Sequence, residues 1–316
     1  MDLQAAQPVF ASLTPVFLLI AAGVVAGRAG WIRLDAVKDL SNLAFMLLIP
    51  ALLFRTMSNV HVEQLDLRPI GAYFFAALGF FAVLIAVYGF TARGVVMALA
   101  GVFSNMVMIG ITLVELAYGQ AGLVTLLTLI SVHSLVLLTV ATVVLEMVTA
   151  RDARARGQGA QQHMALTVLT AVKNGIIHPV PLPIIVGLLF AQTGLTLPEV
   201  VDKPLTLLGN ALGPLALVLG GVTLTQVRVG PHLKSALGIS LLKNLALPAL
   251  VATLGLALGM QGLPLNVMIV TASLPIGANV FLFAQRYEVA QDLVTASMTV
   301  STALGLATVT LVMSLV

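Results

Sequence analysis

Ser273-Leu274-Pro275-Ile276-Gly277-Ala278-Asn279-Val280 interrupts an otherwise apolar run that extends from Pro264 towards Arg286. Pro275 removes a backbone donor and clashes with the preceding turn, and Gly277 tolerates almost any backbone conformation. Asn279 adds an amide that both donates and accepts. In hydrocarbon, freed backbone groups persist only where they are buried in protein or line a water-filled cavity. The stretch therefore predicts a broken helix and a polar site within a membrane.

Composition supports that setting. The 316 residues are 59% hydrophobic and 9% charged, with a mean hydropathy of +1.09, well outside the range of soluble domains. A spanning helix needs about 20 apolar residues. Ten such spans are expected, at 8–28, 36–57, 69–90, 94–118, 122–148, 165–193, 200–226, 233–258, 264–286 and 291–316. The fold class is an all-α membrane protein. Met1-Asp2-Leu3-Gln4 lacks the basic start of a signal peptide, so the first span is expected to be retained. The chain has no cysteine, which excludes disulfides and thiol chemistry, and its formal charge of +3 is too small to mark a nucleic-acid binder. There is no Gly-x-x-x-x-Gly-Lys-Ser/Thr loop and no His/Cys/carboxylate set at metal-ligand spacing. ATP drive, an enzyme activity and a cofactor are therefore not expected.

Lysines and arginines set the orientation. The loops after spans one, three, five, seven and nine hold Arg28, Arg33, Lys38, Arg93, Arg151, Arg154, Arg156, Arg228, Lys234 and Arg286. The opposite side holds Arg55, Arg68 and Lys203. This asymmetry places both termini outside, periplasmic if the chain sits in a bacterial inner membrane. It makes 149–164 a cytoplasmic linker, polar and topogenic.

The linker separates two five-span halves, 1–148 and 165–316, whose orientations must then be opposite. Leu34-Asp35-Ala36-Val37 with Pro50-Ala51-Leu52-Leu53 aligns to Pro198-Glu199-Val200-Val201 with Pro214-Leu215-Ala216-Leu217. Tyr118-Gly119-Gln120-Ala121 similarly echoes Tyr287-Glu288-Val289-Ala290. Such a 5+5 inverted repeat is a transporter architecture with its site at the midplane. Span four supplies the counterpart of the opening motif in Phe103-Ser104-Asn105 through Gly110-Ile111-Thr112. Asn105 and Pro275 each lie about 16 Å along their spans at ~1.5 Å per residue, from opposite faces. Aligning the tyrosines sets Gly110 against Asn279 and Met106 against Pro275. Each broken helix would restart at the midplane with an N-terminus that favours an anion, most simply a carboxylate.

Other polar residues in the spans are weighed singly. Lys243 in span eight either pairs with a substrate carboxylate or snorkels to the interface. Lys173 is expected to snorkel. Glu115, one turn beyond Thr112, is either a proton-coupling carboxylate or an interfacial residue. His133 and His178 are expected to be hydrogen-bonded packing residues. A cation/proton exchanger would need carboxylates deep in spans four, five, nine or ten, where Glu115 alone comes near. A non-transporting receptor would need a signalling appendage, for which the short loops leave no room.

The chain resembles the auxin efflux carrier family, which includes bacterial malonate-permease-like members and the plant PIN carriers. The resemblance covers nearly the whole chain. It is carried by Phe45-Met46-Leu47-Leu48-Ile49-Pro50-Ala51-Leu52-Leu53-Phe54, by Ser104-Asn105 through Gly110, by Pro181-Leu182-Pro183 with Gly187-Leu188, by Gly213-Pro214-Leu215-Ala216, and most specifically by Leu274 to Asn279. It implies an NhaA-like ten-helix fold. Spans one, two, six and seven would form a scaffold and homodimer surface, and three to five with eight to ten a moving transport domain. It also implies that spans four and nine cross at a small-carboxylate site, with Asn105 and Asn279 as ligands beside Ser104, Gly110, Thr112, Pro275 and Gly277. Family members usually carry proline just after the span-four glycine, where this chain has Thr112. The first crossover is then either less sharply broken or stabilised through the Thr112 hydroxyl.

Overall fold

A computed structural model describes residues 3–60, 67–155, 169, 180–225 and 230–316. Among these residues the chain is helical, and the β pairing is confined to one isolated bridge. The helices are α1 (Leu3–Arg28), α2 (Leu34–Leu43), α3 (Ile49–Met57), α4 (Arg68–Tyr88), α5 (Ala92–Val102), α6 (Ile111–Ala155), α7 (Pro181–Ala191), α8 (Glu199–Leu224), α9 (Leu233–Leu241), α10 (Leu247–Ala257), α11 (Leu263–Ser273), α12 (Asn279–Arg286) and α13 (Gln291–Met313).

Among the described residues six stretches are long and apolar enough to cross a membrane: Asp35–Met57, Arg68–Tyr88, Met106–Asp152, Glu199–Leu224, Gly230–Ala257 and Gln291–Met313. Four shorter apolar helices accompany them, namely Thr14–Arg28 and helices α5, α7 and α11. Of the expected span 165–193, helix α7 falls among the described residues, while Lys173 and His178 lie outside them.

Local chemistry explains the irregularities. Helices α2 and α3 join through a π turn, Ala44–Leu48, and α9 and α10 join through another, Leu242–Ala246. Pro50 and Pro248 each stand two positions after the end of their π turn. The wider turn moves the carbonyl that a proline ring would otherwise strike. In α6 the backbone turns sharply at Gly119 (φ 62°), a left-handed value that glycine adopts without strain. The same helix runs on through Ala155, into the stretch expected to be a linker. Arginine and alanine there are good helix formers. The Arg151 guanidinium also lies 6.0 Å from the centre of the Phe90 ring, which adds a cation–π contact. The rest of 149–164 lies outside the described residues.

Helix α3 packs on both α7 and α8, and α1 lies along α8. Helices α4, α5, α6, α10 and α11 pack together, with α9 and α13 beside them. At one end of α3, Arg55 Nε and Nη2 donate to Asp202 Oδ1 and Oδ2 at 2.7 and 3.1 Å, a bidentate tie to the start of α8. Both side chains are about one-third exposed, so solvent screens the pair and its role is to fix geometry. The α1–α8 contact depends on small residues. A Cβ at Gly23 would collide with the carbonyl of Val218, and one at Gly221 with that of Ile20. Between lipid-facing helices such close backbone approach supplies the packing energy.

Gly221→Val should therefore separate α1 from α8 and lower stability by about 1–3 kcal/mol. Gly220→Ala, whose Cβ meets nothing within 4 Å, should leave stability at or above wild type. Thermal unfolding of both variants in detergent measures the difference.

Candidate functional site

Two helices of eleven residues, α5 and α11, end at Val102 and Ser273, and the chain leaves each as open backbone. The two open segments cross antiparallel, with Ser104 opposite Ile276. The Asn105 N–H donates to the Pro275 carbonyl at 2.8 Å, and the Gly277 N–H donates to the Phe103 carbonyl at 2.9 Å. Backbone groups freed by the two breaks thus satisfy one another. Gly277 is required there, because a Cβ would come within 3.0 Å of the Ser104 carbonyl and against the Phe103 ring.

Each strand of the crossover is braced by neighbouring helices. On the first, Tyr73 Oη of α4 lies 3.4 Å from Ser104 Oγ and 3.3 Å from His133 Nε2 of α6. On the second, the Ile276 N–H donates to Ser301 Oγ at 3.1 Å. Ser301 Oγ in turn donates to Asn244 Oδ1 at 2.8 Å. Lys243 is fully buried, and its Nζ donates to the carbonyls of Ala272 and Leu274, each at 2.7 Å. Neither role expected of Lys243 is the one found. It neither snorkels nor lines the cavities described below, but closes the C-terminal end of α11. That end exposes carbonyls, and the helix dipole favours a basic group there.

Beyond the crossover both helices restart, but unequally. Asn105 caps the turn Met106–Gly110, its Oδ1 accepting from the Met108 N–H at 3.3 Å. The second restart is at Asn279, preceded by Ala278, which gives no side-chain cap. This corrects the register expected from the tyrosines. Val102 and Ser273, the ends of the first half-helices, are 171 positions apart, whereas Tyr118 and Tyr287 are 169 apart. Ser104, not Met106, therefore sits at the crossing with the Pro275–Ile276 segment. The physical reason is that the break at 274–278 is longer than that at 103–105, and the helix after it is shorter.

Two cavities meet the crossover. One of about 30 Å³, room for about a single water, is lined by Ser104, Asn105, His133, Ser134, Gly277 and Asn279, with apolar neighbours. The Asn279 amide Nδ2 lies 3.5 Å from Ser134 Oγ. The second, about 360 Å³, shares Phe45, Asn105, Met108 and Ala278 with the first. It extends past Ile109 and Phe281 to Thr223 and Leu224 at the end of α8 and to Thr295 near the start of α13. These are the helix ends nearest the arginine-rich loops.

The expected site residues therefore divide. Ser104, Asn105, Gly277 and Asn279 come together at the cavity. Pro275 contributes its carbonyl to the bridge and packs its ring over Gly305. Gly110 lies beneath the Leu274 side chain, where a Cβ would come within 2.7 Å, and so permits packing rather than contact with a ligand. Thr112 lies in regular helix beyond the break and faces Gly213 of α8. Its hydroxyl is buried with no partner among the described residues, so it stabilises no crossover carbonyl. Glu115 lies farther along the same helix and lines neither cavity. His133 is hydrogen-bonded and packed between helices, as expected, and in addition lines the small cavity. An isolated histidine in an apolar helix carries no local signal of this.

Lys243→Met keeps the length of the side chain but leaves two buried carbonyls without a donor, at a cost of about 1–3 kcal/mol each. It should lower the melting temperature, and Lys243→Gln should recover part of the loss by donating to one carbonyl. A melting temperature for Lys243→Met equal to wild type would contradict this bracing role.

Comparison with known proteins points to a membrane transporter. A protein of Rhizobium meliloti (strain 1021) named "Putative malonate transporter" is 28% identical over 308 residues, covering 94% of this chain and 92% of that protein. "Auxin efflux carrier component 3a" of Oryza sativa subsp. japonica is 36% identical over 96 residues, 30% of this chain and 16% of that protein. The family model described as membrane transport protein matches residues 8–313. With nearly its whole length matched and its helices apolar enough to cross a membrane, the chain belongs to this membrane transport family, that of the auxin efflux carriers.

Proposed function

We propose that the protein is a secondary carrier of a small organic anion, a carboxylate such as malonate or an auxin-like acid, working by an elevator-type alternating-access motion. The observation that carries this reading is the convergence of Asn105 and Asn279 on one cavity beside the crossed breaks. A carboxylate there would take hydrogen bonds from the two amides, with Ser104 holding the strand beside it. The first turns of the restarted helices supply partial positive charge without a lysine in the cavity. The body of the substrate would extend into the larger cavity, whose walls combine Phe45, Met108 and Ile109 with the hydroxyls of Thr295, Thr299 and Thr302.

In this reading ten spans form two inverted halves, 1–148 and 165–316, with both termini outside and 149–164 on the cytoplasmic side of an inner membrane. Spans one, two, six and seven are the scaffold and homodimer surface, and the remaining six move. The tight α1–α8 and α3–α8 packing suits a rigid scaffold. The position of the larger cavity beside the arginine-rich ends suits an inward-open state.

The test is uptake into proteoliposomes of malonate and of an aromatic monocarboxylate, under imposed pH, sodium and voltage gradients. Asn105→Ala and Asn279→Ala should each reduce flux at low substrate concentration by roughly tenfold or more, the loss of about one charge-assisted hydrogen bond. Wild-type carboxylate flux in both variants would overturn the site. Sodium/proton exchange with no organic flux would instead identify a cation exchanger.

A further inference from the structure

His133 is a buried imidazole at the small cavity, with one ring nitrogen engaged by protein. Nε2 lies 3.3 Å from Tyr73 Oη, and no partner for Nδ1 occurs among the described residues. The ring is held in place by Phe103, edge-on at 4.6 Å between centres, and by Tyr73 and Phe74 at 5.9 and 6.4 Å. Tyr73 is fully buried, so its single hydroxyl proton must go to Ser104 Oγ or to His133 Nε2.

These two choices give the hydrogen-bond chain two polarities. If Ser104 donates to Tyr73 and Tyr73 donates to Nε2, the neutral imidazole carries its proton on Nδ1. If His133 donates from Nε2 to Tyr73 and Tyr73 donates to Ser104, Nδ1 is a bare lone pair. A carboxylate in the cavity is stabilised by the first arrangement and repelled by the second. A neutral acid would select the second, using its own O–H as donor.

We propose that His133 is a further substrate ligand, presenting Nδ1–H to the substrate carboxylate, and that Tyr73 and Ser104 are the positioning residues that fix this tautomer. The inference rests on the carboxylate-carrier reading and adds a named third donor to the two asparagines. In this polarity the site favours the ionised acid, because the protonated form would need the opposite one.

Replacement chemistry separates a ligand from a packing residue. The amide of asparagine falls close to where Nδ1 stands, and that of glutamine close to Nε2. His133→Asn should keep the KM for the carboxylate within about threefold of wild type, whereas His133→Gln and His133→Leu should raise it about tenfold or more. Tyr73→Phe should raise KM several-fold while maximal flux per folded carrier is retained. In 15N-histidine spectra of the wild type, substrate should increase the Nδ1–H tautomer of His133, and Tyr73→Phe should weaken that response. A wild-type KM in folded His133→Gln, or a persistent Nε2–H tautomer in the loaded wild type, would overturn the proposal. If the His133 variants do not fold, the wild-type tautomer decides. Should Asn105→Ala and Asn279→Ala impair flux while His133→Gln does not, this inference alone fails. Should none of the three matter, the site reading fails with it.

Discussion

Four backbone groups from two broken helices meet inside the protein, and the antiparallel bridge between Ser104 and Ile276 is what gives them partners. In hydrocarbon an unpaired amide or carbonyl costs several kcal/mol, so neither break would be tolerable alone. The two are mutually dependent: the N–H of Asn105 needs the carbonyl of Pro275, and the N–H of Gly277 needs that of Phe103. Much else in the centre of the molecule follows from holding these two segments in register. Gly277 admits the Phe103 ring, Gly305 admits the Pro275 ring, and Gly110 admits Leu274.

The bracing is chemically asymmetric although the two breaks are alike in plan. Neutral groups, Tyr73 and His133, hold the first strand through Ser104. Lys243, Asn244 and Ser301 hold the second through backbone carbonyls and the Ile276 N–H. Lys243 is thereby spent on the end of α11, and the cavity is left to amides, hydroxyls, an imidazole and apolar walls. Such a lining offers hydrogen bonds to a carboxylate without a fixed salt bridge, which would hold the ligand too tightly for release. A carrier needs a site that binds and lets go, and directional neutral donors with helix-end partial charges meet that need.

The breaks themselves were legible in the sequence because proline, glycine and asparagine have few uses inside an apolar helix. Asn105 and Asn279 were found on that ground alone, and both reach the cavity. What lay outside the reach of sequence were partners distant along the chain. Lys243 binds carbonyls 29 and 31 residues away, and backbone acceptors leave no mark in a side-chain pattern. Thr112 and Gly110 lie close to the motif in sequence yet face Gly213 and Leu274, because the helix has already restarted and turns them away. The cavity beside His133 leaves no mark near it in sequence, because its neighbours Tyr73 and Phe103 are distant along the chain. The tyrosine register failed across the break for a related reason, since two loops of unequal length occupy equivalent places.

The central claim is that the crossover is an anion site that opens to one side of the membrane at a time. The absence of native cysteine allows a direct measurement. Val107, which lines the small cavity, is replaced by cysteine, and the rate of its modification by a membrane-impermeant thiol reagent is followed from each side of oriented vesicles. The account predicts that a transported carboxylate slows the reaction in a saturable way and changes the side from which it is fastest. Modification at one rate, from one side, whatever carboxylate is present, would contradict it.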